Sequence, residues 1–150
     1  MTEPVFVALL VADRVISEDN GKKGIIGTFT QFNALQFPAR FPPWFVYAAV
    51  TNLVDEHSFS LNVVHDETQQ VVFSAAGQFR VDRPRKVVEL VVPVVNVVFP
   101  SAGTYNLLFN IDGQQIGSRL LETAKVDAPQ RPGMPGQTSG PGAGPRPEGD

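Results

Sequence analysis

Residues His57–Asp66 alternate with a period of two. His57, Phe59, Leu61, Val63 and His65 fall on one side, and Ser58, Ser60, Asn62, Val64 and Asp66 fall on the other. Successive side chains of an extended strand point to opposite faces, so a run of this kind has one buried face and one wetted face. No stretch of the chain carries an equally convincing 3.6-residue period. The surrounding sequence repeats the strand signal in Val5–Ile16, Gly24–Asn33, Trp44–Val54, Val71–Val81, Val87–Phe99, Thr104–Asp112 and Gln115–Val126. Turn residues separate these runs: Asn20-Gly21, the Phe37–Pro43 stretch, Asp55-Glu56, Glu67–Gln70, Asp82–Lys86, Pro100–Gly103 and Asp112-Gly113. About eight short strands with regular turns predict an all-β fold. The expected form is an antiparallel two-sheet sandwich, immunoglobulin-like or a similar Greek key, with a closed barrel as the competing architecture.

Expected inward rows follow from the alternation. They are Val71, Phe73, Ala75, Phe79 and Val81 in one strand, and Tyr105, Leu107, Phe109 and Ile111 in another. A chain of 150 residues with 43% hydrophobic composition fits one domain with a sizeable core. That domain is expected to cover residues 1–127. From Ala128 the composition changes to Pro, Gly and polar residues, which cannot bury enough surface to offset ordering entropy. Residues 128–150 therefore read as a disordered tail. It keeps no strict glycine register, so it is not a collagen strand, and it could be a flexible tether or a Pro-rich docking peptide, although no aromatic residue flanks its prolines.

Several function classes are disfavoured at once. The absence of cysteine removes disulfides and thiolate chemistry and suits a reducing compartment. A net charge of −3 gives no basic field for nucleic acid. The apolar run Val5–Ala12 follows Thr2-Glu3-Pro4 and ends at Asp13-Arg14. It is too short to span a membrane and lacks the positive flank of a signal peptide, so a buried strand of a cytoplasmic protein is expected.

Candidate sites are few. Asp19, Asp55, Asp82 and Asp112, with Glu56, sit in turns that an all-antiparallel arrangement would gather at one end, where carboxylates could hold calcium. Lys22, Lys23, Arg83, Arg85 and Lys86 would share that end and offset the field. His57 and His65 share a strand face but are separated by about 26 Å of strand, too far to ligate one metal. Neither a G-x-S-x-G nor a phosphate loop occurs, and no catalytic residue or cofactor is assigned.

Excess apolarity is the more informative feature. Val5–Ala12, Trp44–Val50 and Val87–Phe99 are apolar on both strand faces, whereas a lone sandwich wets its outer faces. Some second surface must cover them, either a connection of the same chain or another subunit. Val91, Val95 and Val97 belong to the third run, and Pro93 within it indicates an edge or a bulge. The loop carrying Phe37, Arg40, Phe41, Trp44 and Phe45 has the composition of interface cores.

The run Ala12-Asp13-Arg14-Val15, the Asn20-Gly21 turn and the strand Lys23-Gly24-Ile25-Ile26-Gly27-Thr28-Phe29 form a pattern with the Phe37-Pro38 and Phe41-Pro42 pairs. It resembles an uncharacterised bacterial family known only as a domain of unknown function. The Gly103-Thr104-Tyr105 and Asp112-Gly113 hairpin also fits, so the resemblance spans residues 5–126. It implies a bacterial, cytoplasmic β-sandwich and carries no activity to transfer. The expected function is a non-catalytic interaction or assembly module that self-associates or meets a protein partner through apolar strand faces. The alternative is a small-ligand or calcium-binding domain using the loop carboxylates.

Overall fold

The computed structural model describes residues 3–127. The tail expected from Ala128 onward lies outside them. The strands are β1 (Val5–Ser17), β2 (Lys23–Thr28), β3 (Gln31–Ala34), β4 (Ala39–Arg40), β5 (Trp44–Thr51) and β6 (Asp55–His65). They continue as β7 (Val71–Val81), β8 (Val88–Val94), β9 (Val98–Phe99), β10 (Gly103–Ile111) and β11 (Gln114–Lys125). The described residues are all-β, and none of them forms a helix long and apolar enough to cross a membrane.

Two large sheets share the strands. One has the order β2-β1-β5-β8, and the other has the order β3-β11-β10-β6-β7. A small ribbon pairs β4 with β9. Each segment expected from sequence contains a strand, but two of them divide. Gly24–Asn33 becomes β2 and β3 because the chain leaves the first sheet after Thr28 and joins the second at Gln31. Val87–Phe99 becomes β8 and β9, separated at Asn96, whose φ of 58° breaks the extended run.

One core joins the sheets. Leu9, Val11, Val46, Ala48, Val50 and Val94 come from the four-stranded sheet. Leu61, Val63, Tyr105, Leu107, Phe109 and Leu121 meet them from the five-stranded sheet. The inward row of β10 is therefore as the alternation indicates. In β7 the row is Phe73, Ala75, Phe79 and Val81 without Val71, which is 54% exposed. A register shift between Val63 and Val64 flips that end of the strand, so that Val72 packs on the core in its place.

Pairing is not antiparallel throughout, because β3 runs parallel to β11. This edge strand also changes which turns share an end. Val5 pairs with Thr51, and β1 then runs the other way to Ser17, which pairs with Lys23. The Ser17–Lys23 turn thus lies about 40 Å of strand away from the Thr51–Asp55 connection. Asp19 stands at the opposite end of β1 from the connection into Asp55, contrary to the single charged end expected from a uniform meander.

Candidate functional site

The two sheets differ in what they show to water. On the outer face of the five-stranded sheet the rows are largely polar. Ser74 donates to Asn62 Oδ1 at 2.5 Å, Asn110 to Ser60 Oγ at 3.0 Å and Thr104 to Glu122 Oε2 at 2.9 Å. On the outer face of the four-stranded sheet, Leu10, Tyr47 and Val91 stand in one cross-strand row, and Ala12, Phe45 and Pro93 stand in the next. Ala12 and Ala49 are fully buried on this face among larger neighbours. Leu10, Phe45, Tyr47 and Val91 are half-buried, and Pro93 is exposed. Glu89 is a polar member, accepting the Tyr47 hydroxyl, and Thr28 and Arg14 bound the face on its β2 side. Burial comes first and the Glu89 hydrogen bond second in pushing the Tyr47 phenol up to about 12, so it stays a donor.

A second feature lies where the chain passes between sheets. A shallow groove of about 290 Å³ has Phe29, Phe32, Phe41 and Trp44 as its floor. Phe32 stacks near Phe41 at 4.6 Å between centroids, near Trp44 at 5.3 Å and near Phe99 at 5.3 Å. Pro42 and Pro43 form one wall, with Asp13, Gln31 and Asn33 around the rim. Local backbone chemistry builds it. Gly27 takes a φ of 74°, which kinks β2 beside Asp13 and lets the chain swing Phe29 under Trp44, edge-on at 5.9 Å. Phe29 N–H is tied to the Val11 carbonyl at 3.2 Å. The Phe37-Pro38 peptide, which is cis, leads into the β4–β9 ribbon that places Phe41.

The expected interface residues divide between these places. Trp44 and Val97 are buried, at 3% and 8% exposure, and belong to the core. Phe37 and Phe41 pack partly against that core, and Arg40 is exposed beside them. Phe45 and Val91 lie on the outer face of the four-stranded sheet, and Val95 is 51% exposed just beyond β8.

Asp55, Asp82 and Asp112 come to one end of the five-stranded sheet, but they form no cluster there. Among the described residues no group of three or more His, Asp or Glu side chains could hold a metal ion. Asp19 stands apart at the far end of β1, and Asp55 faces Arg80 at 4.0 Å. Asp82 is exposed, and Asp112 is engaged by His57.

Both histidines close ends of the buried row of β6. His57 Nδ1 meets Asp112 Oδ2 at 2.6 Å, and Nε2 meets the Val54 carbonyl at 2.8 Å. Both partners only accept, so the ring donates from both nitrogens. The Asp112 hydrogen bond is the main cause that holds His57 above the ordinary histidine range, against the opposing effect of burial. The same bond, with the Ser58 amide, holds Asp112 below the ordinary carboxylate range. His65 is buried, and its Nδ1 accepts the Glu67 and Thr68 amides at 3.1 and 3.2 Å. Its proton therefore sits on Nε2, facing Ser101 Oγ at 3.3 Å. Each ring nitrogen of both imidazoles thus faces a hydrogen-bond partner.

Sequence reasoning missed the groove as a unit because its parts come from three separate stretches of chain. It also missed Arg119, which sits on the inward row of β11 and reaches the Leu9 carbonyl of β1 at 3.1 Å. Parity would have found it, since it falls two residues before buried Leu121.

Two large sheets over one core, with one polar and one apolar outer face, define an all-β domain whose distinguishing features are surfaces. The family model for DUF6941, a family of unknown function, matches residues 7–123, and the chain belongs to that family. No curated protein matches the chain.

Proposed function

We propose that this domain is an interaction module that self-associates through the outer face of the four-stranded sheet. The contrast between the two outer faces carries the reading. A sheet face exposed to water keeps mostly polar residues, as the five-stranded sheet does apart from Val64, Leu108 and Leu120, whereas Leu10, Phe45, Tyr47, Val91 and Pro93 form a continuous apolar run on the other sheet. A second copy of the same face is the simplest cover, since a two-fold interface needs only one self-complementary patch. Glu89 and Tyr47 give that patch a directional polar pair among apolar neighbours.

The finer architecture belongs to the same proposal. Tyr105, fully buried near the start of β10, donates to the Ser101 carbonyl at 2.7 Å. A buried tyrosine tied back to backbone a few residues upstream is the tyrosine corner of immunoglobulin-like Greek-key sandwiches, which supports that topology here.

The test is light scattering on two charge-insertion variants. Val91→Lys on the apolar face is expected to reduce the particle to a monomer, while Ser74→Lys on the polar face leaves its mass unchanged. Equal masses for the wild-type chain and Val91→Lys would remove the reading.

A further inference from the structure

The aromatic groove has a candidate occupant in the same chain. We propose that the proline-rich segment Pro129–Pro135 docks in the groove floored by Phe29, Phe41 and Trp44. This surface is separate from the apolar outer face, and the inference does not rest on self-association.

Three observations point the same way. Pro129, Pro132 and Pro135 recur every third residue, the repeat of a polyproline II helix, so they share one face of such a segment. Grooves lined with aromatic side chains are the standard receptors for that helix, because it is pre-extended and loses little entropy on docking. In an extended strand Pro132 would face the opposite side from Pro129 and Pro135, so pairing along edge strand β3 would lose at least one amide donor in either register, and a groove suits the segment better than a ladder.

Placement agrees. The Val126 amide is bonded to the Ala34 carbonyl at 2.9 Å, so the chain leaves the domain beside the last residue of β3. Gln31 and Asn33 of that strand are part of the groove rim. The way back from Ala34 to Gln31 is about 10 Å. Pro129–Pro135 extended as polyproline II spans about 19 Å, which leaves residues 127 and 128 for the reversal.

Charge and hydrogen bonding fit as well. Arg131 lies between the first two prolines, and the groove rim carries the carboxylate of Asp13. Gln31 Nε2 donates to Asn33 Oδ1 at 2.9 Å, which orients Asn33 so that its Nδ2 hydrogens are available to a peptide carbonyl.

The experiment uses the full chain labelled for NMR, beside the full-length variant P129S/P132S/P135S. Docking predicts contacts between the proline ring protons and the rings of Phe29 and Phe41 in the wild type. It also predicts amide shift differences between the two proteins confined to Asp13, Phe29, Gln31–Asn33 and the Trp44 indole. A synthetic peptide of residues 128–150 added to the serine variant should restore those shifts saturably, and it should not do so in a background that also carries Asn33→Ala. Superimposable spectra of the two proteins, or a peptide that shifts nothing, overturns the proposal. Shifts that grow with protein concentration in the wild type overturn its intramolecular form and assign the groove to the tail of a neighbouring copy.

Discussion

At Gly27 the backbone holds a φ of 74°, and a Cβ added there would lie 2.5 Å from Asp13 Oδ2. Gly27→Ala therefore meets two separate penalties, and the left-handed conformation alone costs about 1–2 kcal/mol. Urea unfolding should show at least that loss, and adding Asp13→Ala should recover only the steric part. His57 and Asp112 make a different kind of prediction. His57 is raised from its ordinary value of 6.5, so its contribution is complete below that pH and fades as pH rises through the folded-state value. Asp112 is lowered from 3.8, so its contribution is complete above that pH and fades as pH falls through its own folded-state value. The melting-temperature gap between wild type and His57→Asn should be widest between about pH 4 and about pH 6.5 and narrow at alkaline pH. A gap that stays constant into the alkaline range would contradict the ion pair. Tyr47 offers an optical check: Glu89→Gln should lower its phenol from about 12 toward the ordinary 10.0, without reaching it, because burial is the larger cause. An ultraviolet titration reads this directly.

Among the elements, the hairpins were the most legible in sequence. Asp112 and Gly113 have φ of 50° and 83°, the pair of left-handed residues that a two-residue type I′ turn requires, and the turn fixes the Ile111–Gln114 register. The inward row of β10 follows from that register by parity. What sequence could not show was any event that breaks parity or changes sheet. The bulge that exposes Val71 depends on the facing strand, and the crossing after Thr28 depends on where β11 ends. Asp19 was misplaced for the same reason, since an end assignment assumes that consecutive strands are neighbours. Groove residues were legible singly, as a Phe-Pro loop and an Ile-Gly-x-Phe strand, but their meeting point is long-range. At this scale Tyr105→Phe should cost about 1–2 kcal/mol in equilibrium unfolding, because it strands the Ser101 carbonyl beside a buried ring. A change within error would show that water or Thr123, 3.4 Å away, replaces the hydroxyl.

For the whole molecule, the expectation that several strands are apolar on both faces acquires a location. In β1, β5 and β8 one face belongs to the shared core, and the other forms the apolar outer face of the four-stranded sheet. Apolar surface left in water costs about 25 cal/mol per Å², so covering it favours association. A protein that associates through this face gains stability from its own concentration. Sedimentation equilibrium of the wild-type chain over a wide concentration range tests this most directly. Self-association through this face predicts a reversible monomer–oligomer distribution that shifts toward the oligomer as concentration rises and collapses to monomer in Val91→Lys. A wild-type chain that remains strictly monomeric at every concentration would contradict it.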